Sequence, residues 1–569
     1  MKPREIIVFT FLLAFLLLPT FMGTFMAGDL GTVGIRILYL LSGILFYAFF
    51  LVLNKRRTFF FVMAFMTFFF SAVEMVHLVI NHATTSLLFV YTIIASEPGE
   101  FLELFSTYWW GLFVFGGLWW LYYHLTKHVI RDQYLIPHRL WRYGAAGVIA
   151  TYFLVGIIVL HFNHTPPRWL PQNNEDVRTT AFVGMEKISP INIGLAAYHI
   201  IDIGTQIRRQ QENLRNFSFG IPTDYSGDDI VILLLGETSR YDHWQLNGYE
   251  RQTSPRLLAR GDELVSFDSC YSIANLTTVS VPFMLSPATP EEPHRYYTEK
   301  SVVEAFQEAG WHTAWIADQS FGNPFLQRIS STCDYCFYPP RNQLTFFDTI
   351  LLSPMNHFIN QSGKQMLVLH SLGCHFKYSA RYPDEYCIFQ PDMRDLNVRE
   401  LISSMNPEKG SLSEEGKALD ELRNILVNSY DNAILYTDYF IDTVLTCLER
   451  SGRSIALVYV GDHGENLLDD ERNMFLHGTF YGSRYEYHVP LFVWLSPEYR
   501  RRYPATADIL RENRRKTFST MALFNSLLDL GHIPYAGLDS TASFVSPHLR
   551  NLDVVHGLDA NLKCFEIER

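Results

Sequence analysis

Five long apolar stretches dominate the first 165 residues of the chain. Each is about as long as an α-helix must be to cross the hydrocarbon core of a membrane, roughly 20 residues for about 30 Å. No stretch of that length recurs later in the sequence. The pattern therefore predicts a transmembrane domain of five helices over residues 1–165. The stretches are residues 6–26, 35–53, 59–80, 109–125 and 145–162.

Lysines and arginines alternate between the loops that join these stretches. They occur at residues 2–4, at 55–57 and between 127 and 142, whereas residues 81–108 contain none. Because cytoplasmic loops retain basic residues, the pattern predicts a cytoplasmic N-terminus. With five crossings, everything after residue 165 is expected outside the cytoplasm. A cleaved signal peptide is the alternative for the first stretch, but no small-residue cleavage pattern is followed there by soluble sequence.

Residues 166–227 are predicted to be a linker between two unlike parts of the chain. Prolines follow the last apolar stretch at positions 166, 167 and 171. Apolar residues, four isoleucines and Ala196, then repeat between residues 193 and 207 at intervals of three and four, which predicts an amphipathic helix. Such a helix either lies on the membrane surface or packs as an ordinary core helix of the domain that follows.

From residue 228 the pattern changes to short apolar runs that alternate with helical segments. Alternating strands and helices predict an α/β domain, residues 228–569, whose mostly parallel sheet carries helices on both faces. Residues 394–421, rich in serine, asparagine and glutamate, are expected to be a solvated insertion. The predicted strands are residues 230–235, 313–317, 366–369, 455–460 and 491–495, and two predicted helices cover residues 301–309 and 422–448.

Polar side chains capable of chemistry follow several of these strands. Glu237, Asp318, His370 and Asp462 each lie within two residues of a predicted strand end. In open parallel sheets, ligands bind outside the carboxyl ends of the strands. We therefore expect these side chains to share one edge of the sheet.

Four residues form a candidate metal site at this edge. Glu237, Asp462 and His463 follow two predicted strands, and Thr277 lies between them in a pair of threonines. A buried carboxylate is costly unless a cation neutralises it, and Gly464 permits a tight turn after the Asp-His pair. This set of oxygen and nitrogen ligands suits Zn²⁺. A metal ion would activate the Thr277 hydroxyl as a nucleophile, although such a pair taken alone is more often a helix cap or a packed polar group.

Two further histidines lie in loops that adjoin the predicted strand ends. His375 closes the sequence His-Ser-Leu-Gly-Cys-His, and His477 lies in Leu-His-Gly. A neutral imidazole beside the site can protonate a leaving oxygen, deprotonate an acceptor hydroxyl or bind a second metal ion. Both residues are therefore candidate catalytic groups.

Charge and cysteine content limit the classes of partner. The formal net charge of -12 argues against a nucleic-acid partner, since no domain-wide basic surface is evident.

The chain has seven cysteines, of which Cys333 and Cys336 form a single CxxC. Because no second CxxC follows, a structural thiol pair or a small disulfide is favoured over a redox pair or a zinc knuckle.

Several motifs, in this order along the chain, resemble the signature of the bacterial phosphoethanolamine transferases, a family that contains the lipid A modifying enzymes. The resemblance covers essentially the whole chain. It implies five spans, a linker helix and an alkaline-phosphatase-like domain of the sulfatase type. The motifs are GETSRYDH at 236–243, NGYERQTSP at 247–255, SVP at 280–282, SYDN at 429–432, YVGDHGE at 459–465 and LHG at 476–478.

The resemblance also implies roles for individual residues. The four candidate metal ligands match the family's zinc ligands, and Thr277 matches the residue that becomes modified with phosphoethanolamine. His375 and His477 match histidines assigned to a second metal ion or to acid and base catalysis. Glu97 falls where the family has a residue of the lipid headgroup site. Asn275 and Asp318, which lie near the nucleophile and at a strand end, are expected to contact substrate.

Taken together, the sequence predicts an enzyme of the bacterial inner membrane with a periplasmic catalytic domain. The reaction that the resemblance implies is a zinc-dependent transfer of phosphoethanolamine from phosphatidylethanolamine to lipid A, a lipopolysaccharide core sugar or another periplasmic glycan. One tight zinc site, with or without a second, and a monomeric chain are expected. A sulfatase is disfavoured because Met284 stands where its cysteine or serine motif needs an arginine. A glycerophosphate transferase, a phosphodiesterase and a non-catalytic membrane sensor remain alternatives.

Overall fold

The chain forms two compact units, residues 1–93 with 104–202 and residues 94–103 with 203–569. The structure, a computed structural model, describes residues 1–27, 30, 33–81, 84–85, 116–164, 187–189, 191–192, 214, 216–319, 324–339, 347–394, 412–478, 482–558 and 564–567. Glu97 and the predicted amphipathic helix at 193–207 lie outside these residues. The predicted linker bounds, 166–227, stay a prediction.

The first unit is helical. Helices lie on all five predicted stretches, although only part of the fourth is described, as a helix over residues 116–128. Among the described residues, α1 and α2 are long and apolar enough to cross a membrane by length and composition. The count of five crossings therefore stays a prediction. The helices with complete bounds are α1 (Pro3–Met26), α2 (Val33–Leu53), α3 (Arg56–Asn81) and α4 (Arg139–His164).

Three segments predicted on the cytoplasmic side lie together in this unit. The Arg56 guanidinium is 3.0 Å from the carboxylate of Glu5, and both side chains are buried. The backbone N–H of Arg131 donates to the same carboxylate at 3.1 Å, and that of Arg56 donates to the carbonyl of Gln133 at 2.9 Å. A buried ion pair of this kind is costly to break, because removing either partner leaves an uncompensated charge.

The second unit is built on an eight-stranded sheet with the order β10-β2-β9-β6-β1-β5-β3-β4. β9 pairs antiparallel with both of its neighbours, and every other pairing in this sheet is parallel. The predicted mostly parallel sheet is confirmed. The strands are β1 (Ile230–Gly236), β2 (Leu264–Tyr271), β3 (His312–Ala317), β4 (Tyr335–Phe337), β5 (Gln365–His370), β6 (Ile455–Gly461), β7 (Asn466–Leu467), β8 (Phe475–Leu476), β9 (His488–Leu495), β10 (Thr517–Ser519), β11 (His556–Leu558) and β12 (Cys564–Glu566).

Helices cover both faces of this sheet. Alternate residues of β1 point to opposite faces, as the two-residue period of a strand requires. Val231 and Leu233 join a buried cluster that includes residues of α8 and α15, whereas Ile232 and Leu234 join another that includes α10 and α11. The helices are α5 (Pro255–Ala259), α6 (Thr277–Met284), α7 (Arg295–Thr298), α8 (Val302–Glu308), α9 (Pro324–Thr332), α10 (Leu352–Ile359), α11 (Leu412–Ser451), α12 (Arg484–Tyr487), α13 (Pro497–Arg502), α14 (Pro504–Asn513) and α15 (Ala522–Leu530).

Part of the predicted solvated insertion is helical. Helix α11 begins at Leu412, so it takes up the last ten residues of the segment 394–421, whereas residues 395–411 lie outside the described part. Of the two forms predicted for the CxxC pair, the structure has the thiol pair, because Cys333 and Cys336 are both free thiols.

Candidate active site

Two neighbouring parallel strands bring the first two site carboxylates together. Gly236 of β1 is opposite Gly461 of β6 in the parallel register, so the next residues, Glu237 and Asp462, leave the sheet side by side. The backbone N–H of Asp462 donates to the carbonyl of Gly236 at 2.9 Å. Both carboxylates are buried, with 1% and 0% exposure. The sheet register alone therefore places two acidic groups at one point.

Thr277 reaches the same point from a different part of the chain. It is the first residue of α6, which follows β2. Its Oγ1 lies 3.2 Å from each carboxylate oxygen of Glu237 and 3.2 Å from Nε2 of His463. The first turn of a helix carries unpaired backbone N–H groups and a partial positive charge, which favours an anionic oxygen there.

The arrangement of donor atoms fits a tetrahedral metal ion. Nε2 of His463 lies 3.5 Å from a carboxylate oxygen of Glu237 and 3.5 Å from Oδ2 of Asp462. Donors bound about 2.1 Å from a tetrahedral Zn²⁺ lie about 3.4 Å from one another. The ligand atoms of Glu237, Asp462 and His463 all lie within 4.8 Å of each other. Thr277 completes the set of four that the sequence predicted.

Two hydrogen-bonding details aim these side chains at the same centre. Nδ1 of His463 donates to the carbonyl oxygen of Gly464 at 2.8 Å, so Nε2 keeps its lone pair toward the carboxylates. Oδ1 of Asp462 accepts from the backbone N–H groups of Thr238 and His463 at 3.0 and 2.7 Å. Its other oxygen, Oδ2, is buried and makes no hydrogen bond to the described residues. A cation would satisfy that oxygen.

Electrostatics also indicate that positive charge is needed here. Burial, together with the neighbouring Glu237 carboxylate, raises the pKa of Asp462 to about 7. Burial acts to raise the pKa of Glu237 as well, but the imidazoles of His463 and His375 hold it below its usual range. Burial lowers the pKa of His463, whereas the two carboxylates outweigh that effect and raise it. Two carboxylates thus compete for one positive charge.

The two predicted catalytic histidines lie beside this centre. The ring of His477 is 4.2 Å from that of His463 and 6.3 Å from that of His375, measured between ring centroids. Nδ1 of His477 lies 3.1 Å from the carboxylate of Glu465, and Nδ1 of His375 donates to the carbonyl of Phe376 at 2.7 Å. Burial raises the pKa of Glu465 to about 8. Among the described residues, the hydrogen bonds of both histidines use Nδ1, which leaves Nε2 for proton transfer.

Sequence reasoning missed three residues that hold Glu237 in place. The hydroxyl of Thr238 and the amide of Gln319 each donate to a different carboxylate oxygen of Glu237, both at 2.8 Å. Gln319 also donates to the carbonyl of Ser371 at 2.9 Å. The Tyr430 hydroxyl donates to the carbonyl of Thr238 at 2.6 Å. The sequence points to these three residues only by their position, because each lies in or next to a motif or residue that was selected for another reason.

The predicted substrate-binding residues have varied surroundings. Asn275 is buried, and its amide donates to the carboxylate of Glu486 at 2.8 Å. Asp318 directly follows β3, and its backbone N–H donates to the carbonyl of His370 at 3.0 Å. His370 is buried beside Trp315, and burial lowers its pKa to about 4. Substrate contacts by Asn275, Asp318 and Glu97 stay predictions.

Gly464 is expected to tolerate no side chain. Its backbone N–H donates to the carbonyl of Glu486 at 2.8 Å, and a Cβ at this position would collide with the carbonyl oxygen of Tyr485. We expect Gly464→Ala to lower the free energy of unfolding by about 1–3 kcal/mol, the usual cost of overpacking. Thermal unfolding of the purified chain measures this. Gly147→Ala is the control, since a Cβ there meets nothing within 4 Å, and equal midpoints for the two variants would contradict the expectation.

Comparisons with known proteins show what the chain is similar to. Phosphoethanolamine transferase EptA of Escherichia coli strain K12 is 30% identical over an alignment of 317 residues that covers 53% of each chain. Kdo(2)-lipid A phosphoethanolamine 7''-transferase of Salmonella typhimurium is 29% identical over 318 residues, covering 54% of this chain and 51% of the relative. The chain thus spans about half the length of the curated relatives it matches. The resemblance predicted from the motifs is confirmed.

A solved structure extends the likeness over both units. The integral membrane protein lipooligosaccharide phosphoethanolamine transferase A (EptA) of Neisseria meningitidis superposes with a TM-score of 0.68 at 20% identity, covering 93% of this chain and 98% of that chain. At this identity the likeness establishes the fold. The sulfatase family model matches residues 229–533, which is more than half of the chain. The chain therefore belongs to the sulfatase family.

Proposed function

We propose that this protein transfers phosphoethanolamine from phosphatidylethanolamine to lipid A or another lipopolysaccharide or glycan acceptor. The observation that carries the proposal is the convergence of Glu237, Thr277, Asp462 and His463 on one point, with donor distances of 3.2–3.5 Å. The names of the curated relatives supply the transferred group and an acceptor. An enzyme with a hydroxyl nucleophile among metal ligands is suited to phosphoryl transfer.

Thr277 is the proposed nucleophile in a two-step reaction. In the first step its Oγ1 bonds to the phosphorus of the donor, the bond from phosphorus to the glycerol oxygen breaks, and diacylglycerol leaves with a proton. In the second step an acceptor oxygen bonds to the same phosphorus, and the bond to Thr277 breaks. The products are modified acceptor and free enzyme, so the kinetics should be ping-pong.

The surrounding residues supply charge and protons for both steps. Glu237, Thr277, Asp462 and His463 would hold Zn²⁺, which when bound would stabilise the ionised hydroxyl and neutralise charge on the phosphoryl oxygens. His375 and His477 lie beside this centre, where an imidazole can give a proton to the leaving oxygen and take one from the acceptor. The helix N-terminus at Thr277 adds positive charge where the phosphoryl group would be bound.

The helical unit supports a reaction at a lipid surface. Two of its described helices, α1 and α2, are long and apolar enough to cross a membrane, and together with the loop charges they favour an inner-membrane protein whose catalytic domain is periplasmic. The donor would then reach the site from the outer leaflet of that membrane. A monomer is sufficient for this chemistry, since all four proposed ligands come from one chain.

Mass spectrometry of the cell envelope tests the proposal. Cells that express the full chain should carry a phosphoethanolamine group on lipid A or another envelope glycan, and should accumulate diacylglycerol. Cells that express Thr277→Ala at the same level serve as the control and should show neither change. Consumption of phosphatidylglycerol with transfer of glycerophosphate would instead identify the alternative transferase. Diacylglycerol release without any modified acceptor would contradict a transferase.

A further inference from the structure

Asp348 holds a loop of the site through two backbone hydrogen bonds. Its carboxylate is buried, with 5% exposure, and lies in a short 3₁₀ turn, Asp348–Leu351. One oxygen accepts from the backbone N–H of Leu372 at 2.7 Å, and the other accepts from that of Gly373 at 3.1 Å. Hydrogen bonds to an ionised acceptor are roughly twice as strong as neutral ones. Asp348 therefore fixes the backbone at the start of residues 371–375, here called the histidine loop because it ends at His375.

The histidine loop packs directly against the backbone of Glu237. The N–H of Cys374 donates to the carbonyl of Glu237 at 3.1 Å, and that of Ser371 donates to the carbonyl of Leu235 at 3.0 Å. Gly373 has a φ of +48°, and a Cβ there would come within 3.0 Å of both backbone atoms N and O of Glu237. The close approach leaves little freedom, so a shift of the loop moves Glu237.

The same loop touches the Glu237 side chain through Gln319 and ends at a predicted catalytic histidine. Gln319 bridges the carboxylate of Glu237 and the carbonyl of Ser371, with distances of 2.8 and 2.9 Å. The N–H of His375 donates to the carbonyl of Leu372 at 3.1 Å, next to the hydrogen bonds of Asp348. A displacement at Leu372 is therefore passed to a metal ligand and to His375 together.

We propose that Asp348 is a positioning residue for the zinc site, because its carboxylate holds the histidine loop against Glu237 and so fixes both Glu237 and His375. The inference rests on the proposed function. Asp348 acts through the backbone of the loop rather than by contact with metal or substrate. Residues that orient metal ligands from outside the ligand set commonly change metal affinity or activity by about 10–100-fold when they are mutated.

The chain offers a matched control in Asp438. This aspartate is also buried, with 0% exposure, and its two oxygens accept from the consecutive backbone N–H groups of Arg256 and Leu257 at 3.1 and 2.9 Å. The two carboxylates thus make the same kind of contact in different places, since Asp438 caps helix α5. Their asparagine variants should lose stability by the same mechanism, because a neutral amide offers one acceptor oxygen in place of two.

The experiment compares Asp348→Asn, Asp348→Glu and Asp438→Asn in the full chain purified in detergent. Zn²⁺ affinity is measured by competition with a chromophoric chelator, and thermal unfolding is measured without metal. Both asparagine variants should unfold at lower temperature than the wild type. We expect the Zn²⁺ dissociation constant to rise at least about 10-fold in Asp348→Asn and to stay within about twofold in Asp438→Asn. Asp348→Glu, which keeps both acceptor oxygens, should recover part of the affinity.

Each outcome decides a different point. Equal Zn²⁺ affinity in the two asparagine variants overturns the positioning role and leaves Asp348 as a purely structural cap. If Asp348→Asn does not fold, Asp348→Glu decides: weaker Zn²⁺ binding than in Asp438→Asn supports the role, and equal binding overturns it. Failure of the wild-type chain itself to bind Zn²⁺ contradicts the proposed function rather than this inference.

Discussion

Replacing Thr277 with alanine is expected to abolish phosphoethanolamine transfer while leaving the fold intact. Its hydroxyl is the alcohol among the four converging side chains and, in the proposed reaction, the oxygen that bonds to phosphorus. Loss of a nucleophile removes the whole covalent route, so we expect transfer to fall by at least about 10³-fold. Conversion of a fluorescent phosphatidylethanolamine to diacylglycerol measures the loss, and mass spectrometry of the intact enzyme measures the missing phosphoethanolamine adduct.

Thr278 supplies the matched control for this experiment. It is the next residue in α6 and carries the same side chain, whereas the contacts to Glu237 and His463 described above are those of Thr277. We expect Thr278→Ala to keep most of the activity and to form the adduct. Thr277→Ser should keep partial activity because the hydroxyl remains. If Thr278→Ala lost the adduct while Thr277→Ala kept it, the nucleophile would be the neighbouring threonine.

The second large effect is expected from Asp462→Asn, which should separate metal binding from folding. Without metal, the buried carboxylates of Glu237 and Asp462 lie close together and repel each other. An amide at position 462 keeps the oxygen that accepts from Thr238 and removes one negative charge. We therefore expect the metal-free variant to unfold at the same temperature as the wild type or a higher one. Its affinity for Zn²⁺ should fall by more than about 100-fold, because a ligand itself is lost.

Thermal unfolding with and without Zn²⁺ measures both parts of this expectation. A ligand at 100 times its dissociation constant stabilises the native state by about 2.7 kcal/mol, so zinc should raise the unfolding temperature of the wild type clearly. At the same concentration Asp462→Asn should show little rise, whereas Asp438→Asn should show the full one. A full zinc-dependent rise in Asp462→Asn would mean that the metal binds elsewhere.

Much of the catalytic fold follows from the sequence because its strands are short apolar runs with clear ends. The predicted strand at 230–235 is β1. Both faces of this strand are buried, which explains why its apolar residues do not alternate with polar ones. The direction of β9 could not be predicted, since an apolar run carries no information about which way it lies in the sheet. β2 was missed because Ser266, Asp268 and Ser269 interrupt its apolar pattern.

The residues of the candidate site also divide into those that could be predicted from the sequence and those that could not. Glu237, Asp462 and His463 could be predicted because each directly follows a buried strand, and the parallel register brings such positions together. Asp348 and Tyr430 could not be predicted from local pattern, because they act through backbone atoms of segments distant in the sequence. Gln319, which contacts Glu237, lies one residue after the predicted Asp318. The sequence does not show which side chain of a loop points into the site.

The pairing of Gly236 with Gly461 also has a consequence for biogenesis. The donor atoms of the centre come from residues that follow the first and sixth strands of the catalytic domain and from the start of helix α6, which are far apart in the chain. In the proposed topology, the centre would form only after the polypeptide has crossed the bilayer beyond His463 and the central strands have assembled. Insertion of the proposed zinc ion would then follow translocation, and we expect that starving the outer compartment of zinc would yield a folded but inactive enzyme.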